Sequence, residues 1–568
     1  MQRRPFRLRR ILFGLLAVVS LAAVGITAWA WFYGGPWLDR TIRERIEGAV
    51  RQATVAGYHF QMDSLSAEFM TGDVRINGIR LTYDSTLADS LRSGAYDYLF
   101  SAQASTIALR GLSIWRAVLK REVHLRAIEV DTPAFHYTIG DRRVALNAPF
   151  KRFGRSDASS LPLFAVDEVH VRGARARMHD LSGHLPVLRA MGLDIAASDL
   201  RVIRPGDKKR ADLDVGAVDI RMDSLSTDIP GGYRLRFGDT RLSDRLHRGS
   251  VKHIALERVD ARAPEFRTTR LKMDVDSLVF LEPDVAGLLG DRALRMRSLA
   301  MHGVRFDAEL DKELPEGPAR AVMLPPAALL AIPFPIRVDS LLVADGTVRY
   351  RERSDQTGLW GTLAITDVDA TFTGISNEAG SVESAAVLAG AASCLFMDTT
   401  LLNLRYEARL DDKEEFTFTA TMEDLPVRSL DSLTSNMLRL SLVNGHLDRL
   451  HVVMKGDASK ARGSMEMNYT DLVTTVASNA SHAQRRSMLG SVMDFVLTEE
   501  RGGGISDQQR RSVSVDRDPN RSLLTYIWHF TRAGIKRDMI PGVTDRVFSL
   551  LRKERADRRK RRAERGRR

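Results

Sequence analysis

The stretch RVDSLLVADGTVRY, Arg337–Tyr350, is a strand-like phrase that the chain writes more than once. VDSL recurs at Val275–Leu278, and MDSLS stands at both Met62–Ser66 and Met222–Ser226. Looser echoes are RAIEVDTPAFHY from Arg126, DEVHVRGARARM from Asp167 and RSLAMHGVRFDA from Arg297. Aligning the central apolar residue of five such phrases gives Ile128, Val169, Ile254, Leu299 and Leu341. The intervals cluster near 41–45 residues, or twice that. A loose period of this size predicts a stacked array, in which each unit buries its apolar face only beside its neighbours.

Between these phrases the apolar pattern keeps a period of two. In GDVRINGIRLTYD, Val74 and Ile76 alternate with Arg75 and Asn77, and the phase shifts after Asn77-Gly78 to Ile79, Leu81 and Tyr83. Asn-Gly between alternating runs signals either a hairpin or a bulge. One face of each strand is therefore apolar and the other polar. Such a face fits a closed sandwich core and an open apolar lining equally well, and periodicity leaves both readings standing.

At 568 residues the chain exceeds what one compact core accommodates. The formal net charge of +12 is unevenly spread. Residues 1–10 hold five Arg and no acid, and residues 551–568 hold eleven Lys or Arg against three acids, so the body between is close to neutral. Basic tails on a neutral body suit a membrane surface better than a nucleic-acid groove, and no nucleic acid is expected as a partner. The single cysteine, Cys394, excludes an intramolecular disulfide and does not report the compartment.

Residues Ile11–Tyr33 run 23 positions without a charge or a proline, long enough for a helix to cross a bilayer core of roughly 30 Å. Trp29, Trp31, Tyr33 and Trp37 form an interfacial aromatic cluster at its far end. The five preceding arginines place the N-terminus in the cytoplasm. A cleaved signal peptide is the rival reading, but the apolar run exceeds the usual length of one. Next, Leu38, Ile42, Ile46, Val50 and Ala53 form one stripe of an amphipathic helix ending at Gly57. The proline-rich Val322–Ile336 reads as a tied-down connector, or else as an apolar lip that touches lipid. Near the other end, Leu523, Leu524, Ile527, Trp528 and Ile535 are expected as the apolar face of a helix.

No phosphate loop, dinucleotide fingerprint, zincin pair or nucleophile elbow is present. HDLSGH, with His179, Asp180 and His184, lacks the spacing of a known metal site and reads as surface turn. RGGG at Arg501–Gly504 lacks the flanking strand and helix of a phosphate cradle and reads as a hinge. Catalytic, cofactor and metal residues are therefore all expected to be none, and the chain is read as not an enzyme.

The order of parts resembles the AsmA-like proteins of the double-membraned bacterial envelope. The resemblance is carried by the anchor and amphipathic helix leading into VAGYHFQMDSLSAEFMTGDVRINGIRL, then by IALRGLSIWRAVLKREVHLRAIEVDTPAFHY with its helix–strand–Pro–strand order. LRLSLVNGHLDRLHVVMKGDASKARGSMEMNYTDL, with Gly445, Gly463, Tyr469, Asp471 and Leu472, is similar to the family's C-terminal region. These segments cover about a third of the chain.

The resemblance implies a mainly β protein: an N-terminal transmembrane helix, an elongated, curved and repetitive β-sheet forming a groove, a few short helices and a C-terminal helix. The corresponding parts are a cytoplasmic basic segment (1–10), the transmembrane helix (11–33), the amphipathic helix (36–57) and a periplasmic AsmA-like region (58–495). A flexible linker (496–520), a C-terminal helical segment (521–550) and a basic tail (551–568) follow.

It further implies single-pass residence in the inner membrane, phospholipid as ligand, and a role in outer-membrane biogenesis and lipid homeostasis. An outer-membrane or envelope protein partner also fits. An apolar groove would spare acyl chains exposure to water at about 0.8 kcal/mol per CH₂. Groove candidates are Val74, Ile76, Ile79, Leu81, Val123, Leu125, Ile128 and Val130. The alternative is an envelope scaffold or assembly factor for outer-membrane proteins, with a closed sheet and no conduit.

Overall fold

The computed structural model describes residues 57–68, 71–96, 98–112, 122–139, 163–180, 188–203, 212–229, 231–259, 264–290, 293–318, 321–355, 357–378, 386–411, 414–438, 440–476 and 511–535, with the isolated Gly48. The expected transmembrane segment, nearly all of the amphipathic helix, the short helix around Ile114–Leu119 and the basic tail lie outside them. Among the described residues no helix is long and apolar enough to cross a membrane.

Among the described residues the protein is mainly β, 67% strand, with mixed pairing and few helices. It divides into two compact units. The first runs to Ala261 and adds Asp274–Leu299 and Pro333–Pro335; the second holds Arg262–Met273, Ala300–Ile332 and the chain from Ile336.

In the first unit β1 (Tyr58–Gln61) and β2 (Ser64–Glu68) lie end to end against β3 (Asp73–Tyr83). Helix α1 (Ser85–Arg92) follows, its N-terminus capped by Asp84, whose Oδ1 accepts the Leu87 N–H at 3.1 Å. Strand β4 (Tyr98–Arg110) pairs antiparallel with β3, and then with both β5 (Glu122–Asp131) and β6 (Ala134–Ile139).

β5 and β6 in turn run parallel to β7 (Leu163–Asp180) at a constant offset, so that Ile128 stands opposite Val169. The first interval of the sequence period is thus a strand register. β8 (Leu188–Ile203) pairs with β7, and with the short strands β9 (Asp212–Asp214), β10 (Val218–Met222) and β11 (Ser224–Ile229). β12 (Tyr233–Phe237), β13 (Thr240–Ser243) and β14 (Arg248–Arg258) continue this ladder. β15 (Arg270–Leu281), α2 (Val285–Gly290) and β16 (Leu294–Asp311) come next along the chain.

The second unit contains α3 (Pro325–Leu330) and a run of antiparallel neighbours. These are β17 (Ile336–Arg353), β18 (Trp360–Ser376), β19 (Val387–Phe396), β20 (Thr400–Arg409), β21 (Phe416–Pro426), β22 (Leu440–Gly456), β23 (Lys460–Val476) and β24 (Arg511–Asp516). Helix α4 (Asp431–Leu438) links β21 to β22, and helix α5 covers 523–535.

Two expectations change here. Within the stretch read as linker, Arg511–Asp516 is a strand, because Val513 and Val515 alternate with Ser512 and Ser514 and pair against β23. The packed face of α5 is rotated from the expected one: Leu523, Ile527 and Ile535 pack partly buried against the core as expected, but the centre of the face lies elsewhere. Tyr526 and Phe530 are buried at 2% and 0% exposure, whereas Leu524 and Trp528 stand 77% and 47% exposed.

The repeated phrase has a local cause. Gly78 takes a left-handed φ of 64° in the middle of β3, with Asp63 beside it. The Asp63 N–H donates to the Asn77 carbonyl at 3.0 Å, and a Cβ on Gly78 would run into the Asp63 carboxylate. Both strands change faces here: the buried residues shift from Val74 and Ile76 to Leu81, and from Met62 to Leu65.

The second MDSLS copy repeats the device. Gly192 has φ 61°, Asp223 donates its N–H to the Met191 carbonyl at 3.2 Å, and a Cβ on Gly192 would meet the Asp223 carboxylate. In VDSL at Val338–Leu341 the register again sets Asp339 opposite a left-handed glycine, Gly374. Only glycine enters this backbone region without strain, so the phrase marks places where a long strand is creased in register with its neighbour.

Candidate functional site

Following the pairings across the first unit gives one row of facing residues: Leu65, Ile76, Ile107, Val130, Val171, Ile195, Ile220 and Leu242. All eight are aliphatic. Because side chains alternate faces along a strand, this row lies on one side of the sheet. The adjacent positions form the row Ser66, Arg75, Ala108, Glu129, His170, Ala196, Asp219 and Ser243 on the other side. One face is greasy across eight strands, and the other is largely polar.

Burial changes along the apolar row. Leu65, Ile76 and Val130 are at most 7% exposed, while Val171, Ile195, Ile220 and Leu242 are half-buried. The closed part is a cluster in which Leu87 and Leu91 of α1 join Tyr58, Leu99, Leu125 and Ile128.

The second unit repeats the arrangement. Leu341, Phe372, Gly390, Tyr406, Phe418, Met454, Gly463 and Val513 form one cross-strand row. Phe418, Met454 and Val513 are buried at 9%, 0% and 3% exposure, packed with Tyr526 and Phe530 of α5 and with Leu324. Tyr406 is half-buried at the edge of that plug, its ring stacked on Phe416, and beyond it Leu341 and Phe372 are half-buried as well. The Phe372 ring overlies Gly390, where an added Cβ would come within 2.6 Å of Cδ1. Burial pushes the Tyr406 hydroxyl well above its ordinary value, with Glu414 adding to the effect.

The eight groove candidates from the sequence fall into the plug of the first unit. Val74, Ile76, Leu81, Val123, Leu125, Ile128 and Val130 are at most 8% exposed, and Ile79 packs partly buried against the same cluster. The half-buried apolar positions of the rows that lie outside these clusters are instead on β8, β10 and β13, and on β17 and β18. What the sequence reading missed was α1: Leu87 and Leu91 sit at i and i+4 behind an Asp84 cap, a signal present in DSTLADSLR.

The polar face carries paired charges. A cavity of about 470 Å³ is lined by Asp73, Arg110, Arg126, Ala127, Glu129, Asp167 and Glu168. Arg110 Nη1 donates to Asp73 Oδ2 at 3.1 Å, and Nη2 lies 3.7 Å from Glu129 Oε2. Burial alone would raise the Asp73 carboxyl, but the Gly111 N–H and the Arg110 guanidinium outweigh it and hold the group below the usual carboxylate range. His124 Nε2 lies 2.9 Å from Asp167 Oδ1.

Among the described residues no three His, Cys, Asp or Glu side chains come together as metal ligands. His179 stands 3.5 Å from the Thr138 hydroxyl, and His184 is outside the described residues. Cys394 is buried, and burial pushes its thiol up.

No family model matches the chain, and no curated protein matches it.

Proposed function

We propose that this is a non-enzymatic, membrane-anchored envelope protein whose apolar sheet face holds or conducts acyl lipid, in the manner of AsmA-like proteins. The supporting observation is the apolar row in each unit, continuous across hydrogen-bonded strands, with a stretch that is only partly buried in each. A trough of this kind lets acyl chains stay out of water while a polar headgroup remains in it, and it needs no catalytic residue. On this reading the sheet is elongated and curved, stands in the periplasm on the apolar 11–33 anchor, and serves outer-membrane lipid homeostasis.

The lining shifts from the candidates first read in the sequence to the half-buried positions, with Ile195 and Ile220 in the first unit and Leu341 and Phe372 in the second. The plugs of buried side chains close one side of each row.

The test is to extract the full chain in mild detergent and assay bound lipid by mass spectrometry. Acyl lipid is expected in stoichiometric amounts, and its absence overturns the reading. Ile220→Asp and Leu341→Asp should leave the fold intact and lower bound lipid several-fold. Leu125→Asp, at 0% exposure, should unfold the first unit because its carboxylate has no partner there. If all three variants lose stability alike, the rows are packed cores, and an envelope scaffold without a conduit is the better account.

A further inference from the structure

We infer that the outward side of α5, with the segment beside it, is a docking surface for an anionic phospholipid bilayer. Leu524 and Trp528 lie one helical turn apart, on the side opposite Tyr526 and Phe530, at 77% and 47% exposure. The neighbouring segment adds Met323 at 60% and Val322 at 39%. It is fastened to the segment that leads into α5 by the Val322 N–H donating to the Pro519 carbonyl at 2.9 Å and by Arg517 Nη2 donating to the Val322 carbonyl. Leu324, at 0% exposure, anchors the same segment in the cluster with Tyr526 and Phe530. The four apolar side chains are therefore held facing water by a well-packed base.

The occupant follows from charge. Residues 536–568, which continue the chain from α5, contain fourteen Lys or Arg and five Asp or Glu. A basic stretch joined to an exposed Trp and Leu matches an interface whose outer layer is anionic and whose next layer is apolar, and tryptophan favours that boundary. A globular protein partner would satisfy the apolar patch but gives no reason for the adjoining excess of cations. The inference does not need the trough, since it concerns residues outside both apolar rows.

The experiment holds the full chain in nanodiscs of neutral phosphatidylcholine and offers it vesicles containing 30% phosphatidylglycerol or none, with capture read by flotation. Capture by the anionic vesicles is expected, falling as salt rises from 0.1 to 0.5 M. The double variant Leu524→Ser, Trp528→Ser should lower it about tenfold. Both side chains are exposed, so the melting temperature should stay near that of the parent chain. Equal capture of parent and variant would show that charge alone suffices and overturn the docking surface. No capture of anionic vesicles by the parent would overturn it as well. Self-association that the double variant abolishes would assign the patch to a second copy of the chain instead. Lipid retention in the trough is a separate measurement, so either proposal can fail alone.

Discussion

Substituting Gly78 tests the origin of the repeated phrase. A side chain at φ 64° pays the left-handed penalty of about 1–2 kcal/mol. It also has to displace the Asp63 carboxylate, a crowding cost of about 1–3 kcal/mol. Gly78→Ala should therefore cost about 2–5 kcal/mol. Asp63→Ala alone loses the ion pair with Arg80 at 2.9 Å, whose side chains are 52% and 61% exposed, and should cost under about 1 kcal/mol.

The double variant removes the carboxylate but keeps the strained backbone and the residue-63 Cβ, which lies 2.8 Å from the added methyl. It should therefore regain part of the crowding cost, about 1–2 kcal/mol relative to the sum of the singles. Urea denaturation of the full chain, followed by the unfolding of the first unit, measures this. The pair Gly192→Ala and Asp223→Ala should give coupling of the same sign. Additive costs at both sites would refute the idea that the aspartate and the glycine form one device.

Two further outcomes follow from the electrostatics. The Cys394 thiol, 3% exposed and pushed up by burial, should react with iodoacetamide at pH 8 at least about tenfold more slowly in the native chain than in urea; equal rates would contradict its burial. The Asp73 carboxyl is held below its ordinary value when folded, so it stabilises the native state above its unfolded pKa near 4, and that contribution disappears as pH falls through the folded value. Melting of the parent chain between pH 7 and pH 3 should therefore show a loss that Asp73→Asn lessens, and identical profiles would remove the Arg110 pairing from the account.

Much of the architecture is written in alternation. Val74 and Ile76, then Leu81, can be read as one apolar face with a phase shift at Gly78, and the 41-residue spacing of Ile128 and Val169 is the register of a parallel pair. What alternation does not carry is which part of that face is covered. The cover comes from α1 and α5, elements outside the strand pattern, and both rows close only where these helices pack. In α5 the apolar residues of the first two turns, Leu523, Leu524, Tyr526, Ile527, Trp528 and Phe530, cover an arc of about 200°, wider than one packed face. Periodicity alone could not separate the packed arc from the exposed one. The strand at Arg511–Asp516 has a clear two-residue period, hidden by the glycines and charges before it.

The creases also constrain how such a protein can change in length. At Asp63 and Gly78 two partner strands swap their inward and outward residues at the same level, so every residue beyond that point depends on both swaps. Losing one residue from either strand would turn the remaining greasy positions toward water and the charged ones inward. Adding a whole hairpin beside the existing ones disturbs neither crease. Growth by added strands is open to this chain, while the stretch between creases is fixed to the single residue.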